Sequence, residues 1–128
     1  MTNDALAAAQ QLLYSYGAIA DAKDIPAALE LFRGATVTFP QRSVTGDEQL
    51  TELYSQLWGK PNQHRHIITN VRLVESELGY SAVALYNRWE FTPAPLLTTM
   101  GEYAMAFSRD GHTWIIDSLV VTRTWQAS

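Results

Sequence analysis

The strongest constraint on the fold is a change in hydrophobic period along the chain, from helical in the first half to strand-like in the second. Helical segments that precede a run of strands are typical of an α+β fold, in which the helices cover one face of a sheet. We therefore predict three N-terminal helices that cover one face of an antiparallel sheet, and a pocket forms between them if the sheet curls around the helices. The chain has 128 residues, enough for one core, so residues 1–128 are predicted to form a single domain.

Two helices and a short β-like run are predicted first. Apolar residues recur at helical spacing from residue 3 to about residue 21. Asp24 is predicted to cap a second helix, which has Pro26 in its first turn and ends near Gly34. The β-like run at residues 35–40 follows this helix.

A third helix and four strands complete the pattern. Thr45-Gly-Asp-Glu48 has the form of a capping box, and the helix that it opens ends near Gly59. Hairpin turns are predicted at Glu77-Leu-Gly79 and Arg109-Asp-Gly111, whereas the prolines of residues 92–95 indicate a looser connection. Segments rich in Val, Ile, Thr, Tyr and Trp predict long antiparallel strands at Gln63–Val74, Tyr80–Phe91, Leu97–Ser108 and Thr113–Trp125.

Composition excludes several kinds of site and partner. The chain has no cysteine, which excludes disulfides, thiolate metal ligands and cysteine nucleophiles. Its formal charge of −4 comes without a basic stripe, so nucleic acid is not an expected partner and a neutral or cationic small ligand is easier to accommodate. No apolar run reaches the roughly 20 residues of a membrane span, and no signal-peptide pattern opens the chain. We therefore expect a cytoplasmic protein without a membrane partner.

Asp21 and His66 are the best candidates for an acid–base pair. Asp21 ends the first predicted helix, where the helix dipole disfavours an anionic side chain, so it is either a solvated helix end or has a partner. Alternation along the first long strand puts His66 on one face with His64 and Asn70. A neutral imidazole can remove a proton from carbon or oxygen while a carboxylate orients it and stabilises the imidazolium. This is the chemistry of a lyase or isomerase.

Other polar residues allow different interpretations. His64 and His66 have the i, i+2 spacing of two metal ligands, but no third clear ligand is evident, so no metal site is predicted. Arg88 and Glu90 share a strand face, and together with Asp117 they could form a carboxylate pair organised by an arginine. Such charges are more often surface ladders on an antiparallel sheet.

Several segments together carry a family pattern over nearly the whole chain. They are Tyr16-Gly-Ala-Ile-Ala-Asp21-Ala-Lys-Asp24, Ala28-Leu-Glu-Leu-Phe32, Thr45-Gly46, Arg65-His66-Ile-Ile-Thr-Asn70-Val-Arg72, and Gly101-Glu-Tyr103 through Asp110-Gly111 to Trp114. Their order and spacing resemble the SnoaL-like branch of the nuclear transport factor 2-like superfamily. The resemblance implies three helices packed in a cone-shaped, strongly curved antiparallel sheet that encloses one pocket, which is a cystatin-like roll. It also implies a homo-oligomer, either a dimer or a trimer.

The resemblance also implies a cofactor-independent lyase or isomerase that acts on a hydrophobic, cyclic small molecule. Asp21 resembles the catalytic aspartate of scytalone dehydratase, and His66 resembles the catalytic histidine of that enzyme and of lindane dehydrochlorinase. Tyr16 lies where ketosteroid isomerase has its oxyanion-hole tyrosine. No histidine stands at residues 98–100, where the dehydratase has its second one, so scytalone itself is not the expected substrate. The residues expected to bind substrate around this dyad are Tyr54, Trp58, Asn70, Trp89 and Tyr103.

Two alternatives stay open because this fold hosts several functions. Polyketide-type cyclases and epoxide hydrolases share the fold, and Arg88, Glu90 and Asp117 would supply the charges for such chemistry. The non-catalytic small subunits of ring-hydroxylating dioxygenases also share it, and they resemble Arg65-His66 and Thr69-Asn70-Val71 without using these residues for chemistry. A small-molecule-binding module belongs to the same second alternative.

Overall fold

Three helices come before most of the sheet, as the change in hydrophobic period predicts. The structure, a computed structural model, describes residues 2–74 and 79–128. Glu77 and Leu78 of the predicted turn lie outside the described residues. The helices are α1 (Thr2–Ala22), α2 (Ile25–Leu31) and α3 (Asp47–Trp58). The strands are β1 (Thr36–Phe39), β2 (Arg42–Thr45), β3 (His64–Val74), β4 (Tyr80–Glu90), β5 (Leu96–Asp110) and β6 (Thr113–Gln126).

The strands form one sheet in the order β2-β1-β6-β5-β4-β3, which curls without closing. Its α+β class and cone-like shape agree with the prediction. The sequence pattern does not predict β2, because this strand has four residues and buries only Val44. The predicted antiparallel sheet has one exception, because β1 runs parallel to β6 with Val37 opposite Leu119. Such a pairing joins distant parts of the chain and leaves no local signal.

The helix starts show which capping signals the chain uses. The Asp24 carboxylate accepts a hydrogen bond from the Ala27 N–H at 3.1 Å, so the predicted cap of α2 is confirmed. The predicted capping box of α3 is wrong, because Gly46 is the N-cap and makes no side-chain capping bond. The Thr45 hydroxyl is instead paired with that of Thr36 across the strands, at 3.0 Å. The Thr45 N–H donates to the side chain of Gln49 at 2.9 Å, which ties the residue before the N-cap to the first turn of the helix.

The carboxyl end of α1 is fixed by both its backbone and a lysine. The Lys23 N–H donates to the Ala20 carbonyl at 3.1 Å. The Asp24 N–H donates to the Ile19 carbonyl at 3.1 Å, and Lys23 has a φ of 53°, which together form a Schellman-type end. The Lys23 ammonium donates to the Asn62 carbonyl at 2.5 Å, in the connection between α3 and β3. This end of α1, which carries Asp21, is therefore held next to the start of β3.

Helix α1 also lies close to β3 at Gly17. A Cβ atom built on Gly17 would lie 3.0 Å from Cδ1 of Ile68 and 4.0 Å from Cβ of His66. A glycine at this position lets the helix approach the strand that carries His66. None of the helices in the described ranges is both long and apolar enough to cross a membrane.

Gly101 should be the least replaceable glycine of the sheet. A methyl group there would collide with the Thr122 carbonyl oxygen and lie 2.5 Å from Cε1 of Tyr86, whose ring lies over this position. Because a backbone atom cannot move aside cheaply, we expect Gly101→Ala to lower the free energy of unfolding by about 3 kcal/mol. Urea denaturation measures this. Ala104→Val is the control, since it adds methyl groups on the exposed face of the same strand and should change stability by less than about 0.5 kcal/mol. Equal effects of the two substitutions would contradict the packing at Gly101.

Candidate active site

Asp21 and His66 meet, although 45 residues separate them in the chain. The Asp21 Oδ1 atom lies 2.9 Å from Nδ1 of His66 and accepts the His66 backbone N–H at 2.8 Å. A carboxylate oxygen can only accept, so Nδ1 carries the proton and Nε2 is left as the basic nitrogen. The His66 side chain is 10% exposed and that of Asp21 is 25% exposed, so the pair is only partly screened by water. This contact also provides the partner that explains an anionic residue at the end of α1.

His64 connects the same helix end to the sheet. Its Nε2 atom lies 2.6 Å from the Ala20 carbonyl oxygen, to which it donates. Its Nδ1 atom accepts a hydrogen bond from the Arg88 guanidinium at 3.1 Å. Burial lowers the pKa of His64 below its ordinary value, against the opposing effect of the bond to Ala20. His64 is therefore a neutral, fully hydrogen-bonded residue that positions its neighbours.

A cavity of about 220 Å³ lies between the helices and the concave face of the sheet. His66 lines it, whereas Asp21 lies behind His66 and faces a second hollow. Several apolar residues line the cavity, and polar groups converge on it, as a small-molecule site requires. The lining residues are Tyr16, Phe39, Leu57, Trp58, Lys60, His64, His66, Tyr86, Arg88, Thr99, Tyr103, Val121, Arg123 and Gln126.

Strand pairing explains why these polar residues converge. Residues in register on neighbouring strands that point to the concave face form rows across the sheet. Two such rows contribute most of the polar lining on the sheet side of the cavity. From β3 to β6, the first row is His66, Arg88, Thr99 and Gln126, and the second is Ile68, Tyr86, Gly101 and Arg123.

Tyr16 lines the cavity, and its hydroxyl contacts that of Tyr54, which lies outside the lining. The Tyr54 hydroxyl donates to that of Tyr16 at 3.2 Å, which leaves the Tyr16 proton available to another acceptor. Burial raises the pKa of both hydroxyls well above the ordinary value for tyrosine. Both residues therefore stay neutral, and Tyr16 can donate a hydrogen bond to negative charge that develops in the cavity.

The other residues predicted to bind substrate divide into two groups. Trp58 and Tyr103 line the cavity. Tyr54 is fully buried behind Tyr16 and is not a lining residue. Trp89 points away from the cavity and donates its indole N–H to the side chain of Asn87 at 2.7 Å. Asn70 also lies outside the lining, because β3 is irregular at this residue.

Asn70 corrects the prediction from strand alternation. The register of β3 against β4 shifts between Thr69 and Arg72, which marks a β-bulge. Asn70 has a φ of 58° and is exposed. A bulge interrupts the alternation of faces, so Asn70 does not follow His64 and His66 into the cavity.

Arg88, Glu90 and Asp117 do not form one site. Arg88 contacts Glu90 at 3.1 Å, and hydrogen bonds from Asn62 and then from Arg88 lower the pKa of the Glu90 carboxyl. Asp117 is exposed and accepts a hydrogen bond from Ser108 at 3.1 Å. Arg88 lies opposite the first part of β5, whereas the residues next to Asp117 in β6 lie opposite the last part of β5. These two parts of β5 are about 26 Å apart along the strand.

Asp21, His64 and His66 do supply a possible set of metal ligands, which the sequence alone does not show. One ligand atom from each lies within 4.8 Å of the others. However, the Ala20 carbonyl and the Arg88 guanidinium already engage both ring nitrogens of His64. A cation here would lie beside the Arg88 charge and would replace these hydrogen bonds. The donor set thus fits a hydrogen-bonded network better than a metal centre, and the absence of a metal stays a prediction.

The depressed pKa of His64 makes stability depend on pH. In the unfolded chain a histidine takes up its proton near pH 6.5, whereas burial keeps His64 neutral to lower pH in the folded state. The unfolded state therefore binds more protons below pH 6.5, and stability falls as the pH falls, by at most about 1.4 kcal/mol per pH unit for this residue. We expect His64→Gln to weaken this dependence in denaturation curves between about pH 7 and pH 5. His112→Gln, at an exposed turn, should keep it, and equal slopes for wild type and His64→Gln would contradict the assignment.

Several lining residues are missed by reasoning from the sequence. Lys60 follows α3, while Thr99, Arg123 and Gln126 reach the cavity only through the register of β5 and β6. The sequence does contain a signal for Tyr86 as a lining residue, because Tyr86 shares a strand face with Arg88. The remaining positions depend on pairing between distant strands.

Fold and site together define the class of protein. A curled, unclosed sheet with three helices and a polar cavity is the architecture of the nuclear transport factor 2-like superfamily. Within it, the chain belongs to the SnoaL-like domain family, whose sequence pattern matches residues 2–120. No curated protein sequence matches the chain significantly.

Solved structures with the same fold belong to proteins of different kinds. ActVI-ORFA from Streptomyces coelicolor is 14% identical with a TM-score of 0.82, over 92% of this chain and 96% of that chain. The hexachlorocyclohexane dehydrochlorinase LinA-type3 from Novosphingobium barchaimii LL02 is 16% identical with a TM-score of 0.78, over 94% and 87%. A protein assigned as the beta subunit of an aromatic-ring-hydroxylating dioxygenase from Novosphingobium aromaticivorans DSM 12444 is 18% identical with a TM-score of 0.80, over 99% and 94%. At these identities, the similarity shows the fold alone.

Proposed function

We propose that the protein is a cofactor-independent lyase or isomerase that removes a proton from a hydrophobic, cyclic small molecule. The observation that carries this proposal is the contact of 2.9 Å between Asp21 and Nδ1 of His66, with His66 on the cavity wall. The contact leaves Nε2 of His66 unprotonated, and Asp21 stabilises the imidazolium that forms when Nε2 takes a proton.

Tyr16 completes the proposed chemistry. When Nε2 of His66 takes a proton from carbon next to a carbonyl group, negative charge moves to the carbonyl oxygen. The neutral Tyr16 hydroxyl, held by Tyr54, donates a hydrogen bond to that oxygen. The imidazolium then returns the proton to another carbon, which is isomerisation, or protonates a leaving group on the adjacent carbon, which is elimination.

Two observations favour an enzyme over a structural subunit. The space between helices and sheet is an open cavity, although a subunit that only supports a partner has no need of one. The groups that converge on it include a base and a neutral donor. A relative with this fold is named a dehydrochlorinase, which removes a proton and a chloride, and this agrees with the proposal.

We also expect a dimer or trimer, because Met100 and Trp125 are paired on the outer sheet face and nearly half exposed.

A cyclase or hydrolase built on carboxylates is the second candidate. Arg88 and Glu90 favour it, since they form a paired group whose arginine lies on the cavity wall. Asp117 weakens it, because that carboxylate is exposed and distant from the other two.

Hydrogen–deuterium exchange tests the proposed function without knowledge of the natural substrate. Bicyclic ketones such as 1-tetralone carry carbon–hydrogen bonds next to a carbonyl, and their exchange in D₂O is followed by NMR. We expect the wild type to accelerate exchange for at least one ketone of a panel, and Asp117→Asn to keep this activity. Loss of exchange in Asp117→Asn would favour the carboxylate mechanism. No acceleration by the wild type with any ketone would favour a non-catalytic subunit.

A further inference from the structure

The charge of the cavity is opposite to that of the chain. The chain has a formal charge of −4, which by itself favours a neutral or cationic ligand. The cavity lining, however, includes Lys60, Arg88 and Arg123, and none of its members within residues 2–74 and 79–128 is Asp or Glu. Charges that surround a cavity act on its ligand more strongly than the distant surface charges do, because the surface is screened.

Arg88 is already occupied by protein groups. Its Nη1 atom donates to Glu90 at 3.1 Å and to the Thr98 hydroxyl at 2.9 Å, while Nη2 donates to His64. Its positive charge is therefore offset by Glu90, and the residue is better suited to position His64 than to bind a charged ligand.

Arg123 differs from Arg88 in this respect. Within the described parts of the chain it forms no ion pair, although it is partly buried at the cavity wall. Through Gly101 it lies in register with Tyr86. Burial raises the pKa of the Tyr86 hydroxyl, and the Arg123 charge acts in the opposite direction, as expected for a cation near that hydroxyl. A partly buried guanidinium without an anionic partner is well placed to bind an anionic ligand.

We propose that the substrate of this site is an anionic ring compound whose carboxylate binds Arg123, with Lys60 adding positive charge from the exposed loop after α3. This inference rests on the proposed function, because it orients the substrate relative to His66. Three strand spacings separate β3 from β6, about 14 Å along the sheet and less across its curve. A fused bicyclic acid can therefore reach Arg123 with its carboxylate while its far ring lies against His66.

A matched pair of ligands tests the charge preference. 2-Naphthoate and 2-naphthamide have nearly the same size and shape, and only the first is an anion. Titration followed by naphthalene fluorescence gives both dissociation constants. We expect naphthoate to bind wild type at least about 10-fold more tightly than the amide, because hydrogen bonds to charged groups are the stronger ones. Equal affinities, or no binding of naphthoate, would overturn the proposal.

Variants locate the effect at Arg123. Arg123→Gln should weaken naphthoate binding about 10-fold and leave naphthamide binding unchanged, whereas Arg123→Lys should keep most of the preference. Arg33→Gln is the control, because it removes the same formal charge from an exposed pair with Glu30. An equal loss in Arg33→Gln, or no loss in Arg123→Gln with folding verified by circular dichroism, would contradict the assignment.

The binding assay tests the preference for an anion, and the exchange assay tests the proposed function, so either claim can fail without the other. Naphthoate binding involves no proton transfer, so a preference for the anion in a protein without exchange activity would remove the proposed function and keep an anion-binding cavity. Exchange of neutral ketones without any preference for the anion would keep the proposed function and remove this inference.

Discussion

Replacement of His66 by Gln should lower the rate of ketone exchange by about 10²–10⁴-fold, the usual contribution of a general base. Gln has a similar size and can still bond to Asp21, but it cannot accept the proton. The affinity for a competing ligand should change much less, because the imidazole acts mainly in the transition state. Single-turnover exchange rates and fluorescence titration measure the two quantities separately.

His112→Gln is the matched control for this experiment. It makes the same chemical change at an exposed turn between β5 and β6, so exchange should proceed at the wild-type rate. If His66→Gln retained full activity, or if both variants lost it equally, His66 would not be the base.

Asp21→Asn should lower the rate by a similar factor, about 10²–10⁴-fold. The Asp21 carboxylate accepts the His66 backbone N–H at 2.8 Å in the wild type, and the amide oxygen of the asparagine can still accept it. The substitution removes the charge that stabilises the imidazolium, and the amide N–H₂ group can stabilise the wrong tautomer of His66. Combined with His66→Gln, the second change should cost little more, because the two residues act as one unit.

Asp24→Asn makes the same chemical change three residues further along the chain. Asp24 caps α2, and asparagine is an equally good N-cap, so both stability and exchange should stay close to wild type. Wild-type activity in Asp21→Asn would contradict the role of the carboxylate. Inactivity in Asp24→Asn would mean that the loss reflects damage to the loop after α1 rather than chemistry.

The sequence predicts the elements of this fold better than their pairing. Helical spacing and β-branched segments locate three helices and four long strands within a few residues, because these are local signals. The short strand β2 and the parallel contact between β1 and β6 are missed, since neither leaves a periodic pattern. The third helix starts later than the Thr45 signal indicates, because the Thr45 hydroxyl bonds across to Thr36 instead.

The same distinction applies to the site. The contact between Asp21 and His66 agrees with the expectation drawn from the family resemblance and from an anionic residue at a helix end. Asn70 departs from its expected face because a bulge interrupts β3, and the residue types of a strand do not predict a bulge reliably. Arg123 reaches the cavity through register with Tyr86, a relation between distant strands that the order of residues does not express.

The protonation of His66 tests the central claim most directly, and it needs no substrate. Long-range ¹H–¹⁵N correlation spectra distinguish the two ring nitrogens, and the spectrum of His66→Gln assigns the signals. At mildly alkaline pH we expect the proton on Nδ1, bound to Asp21, and Nε2 unprotonated. In Asp21→Asn the populations of the tautomers should shift toward Nε2–H. A wild-type His66 with its proton on Nε2 would contradict the account, because the nitrogen that does not contact Asp21 could not then act as a base.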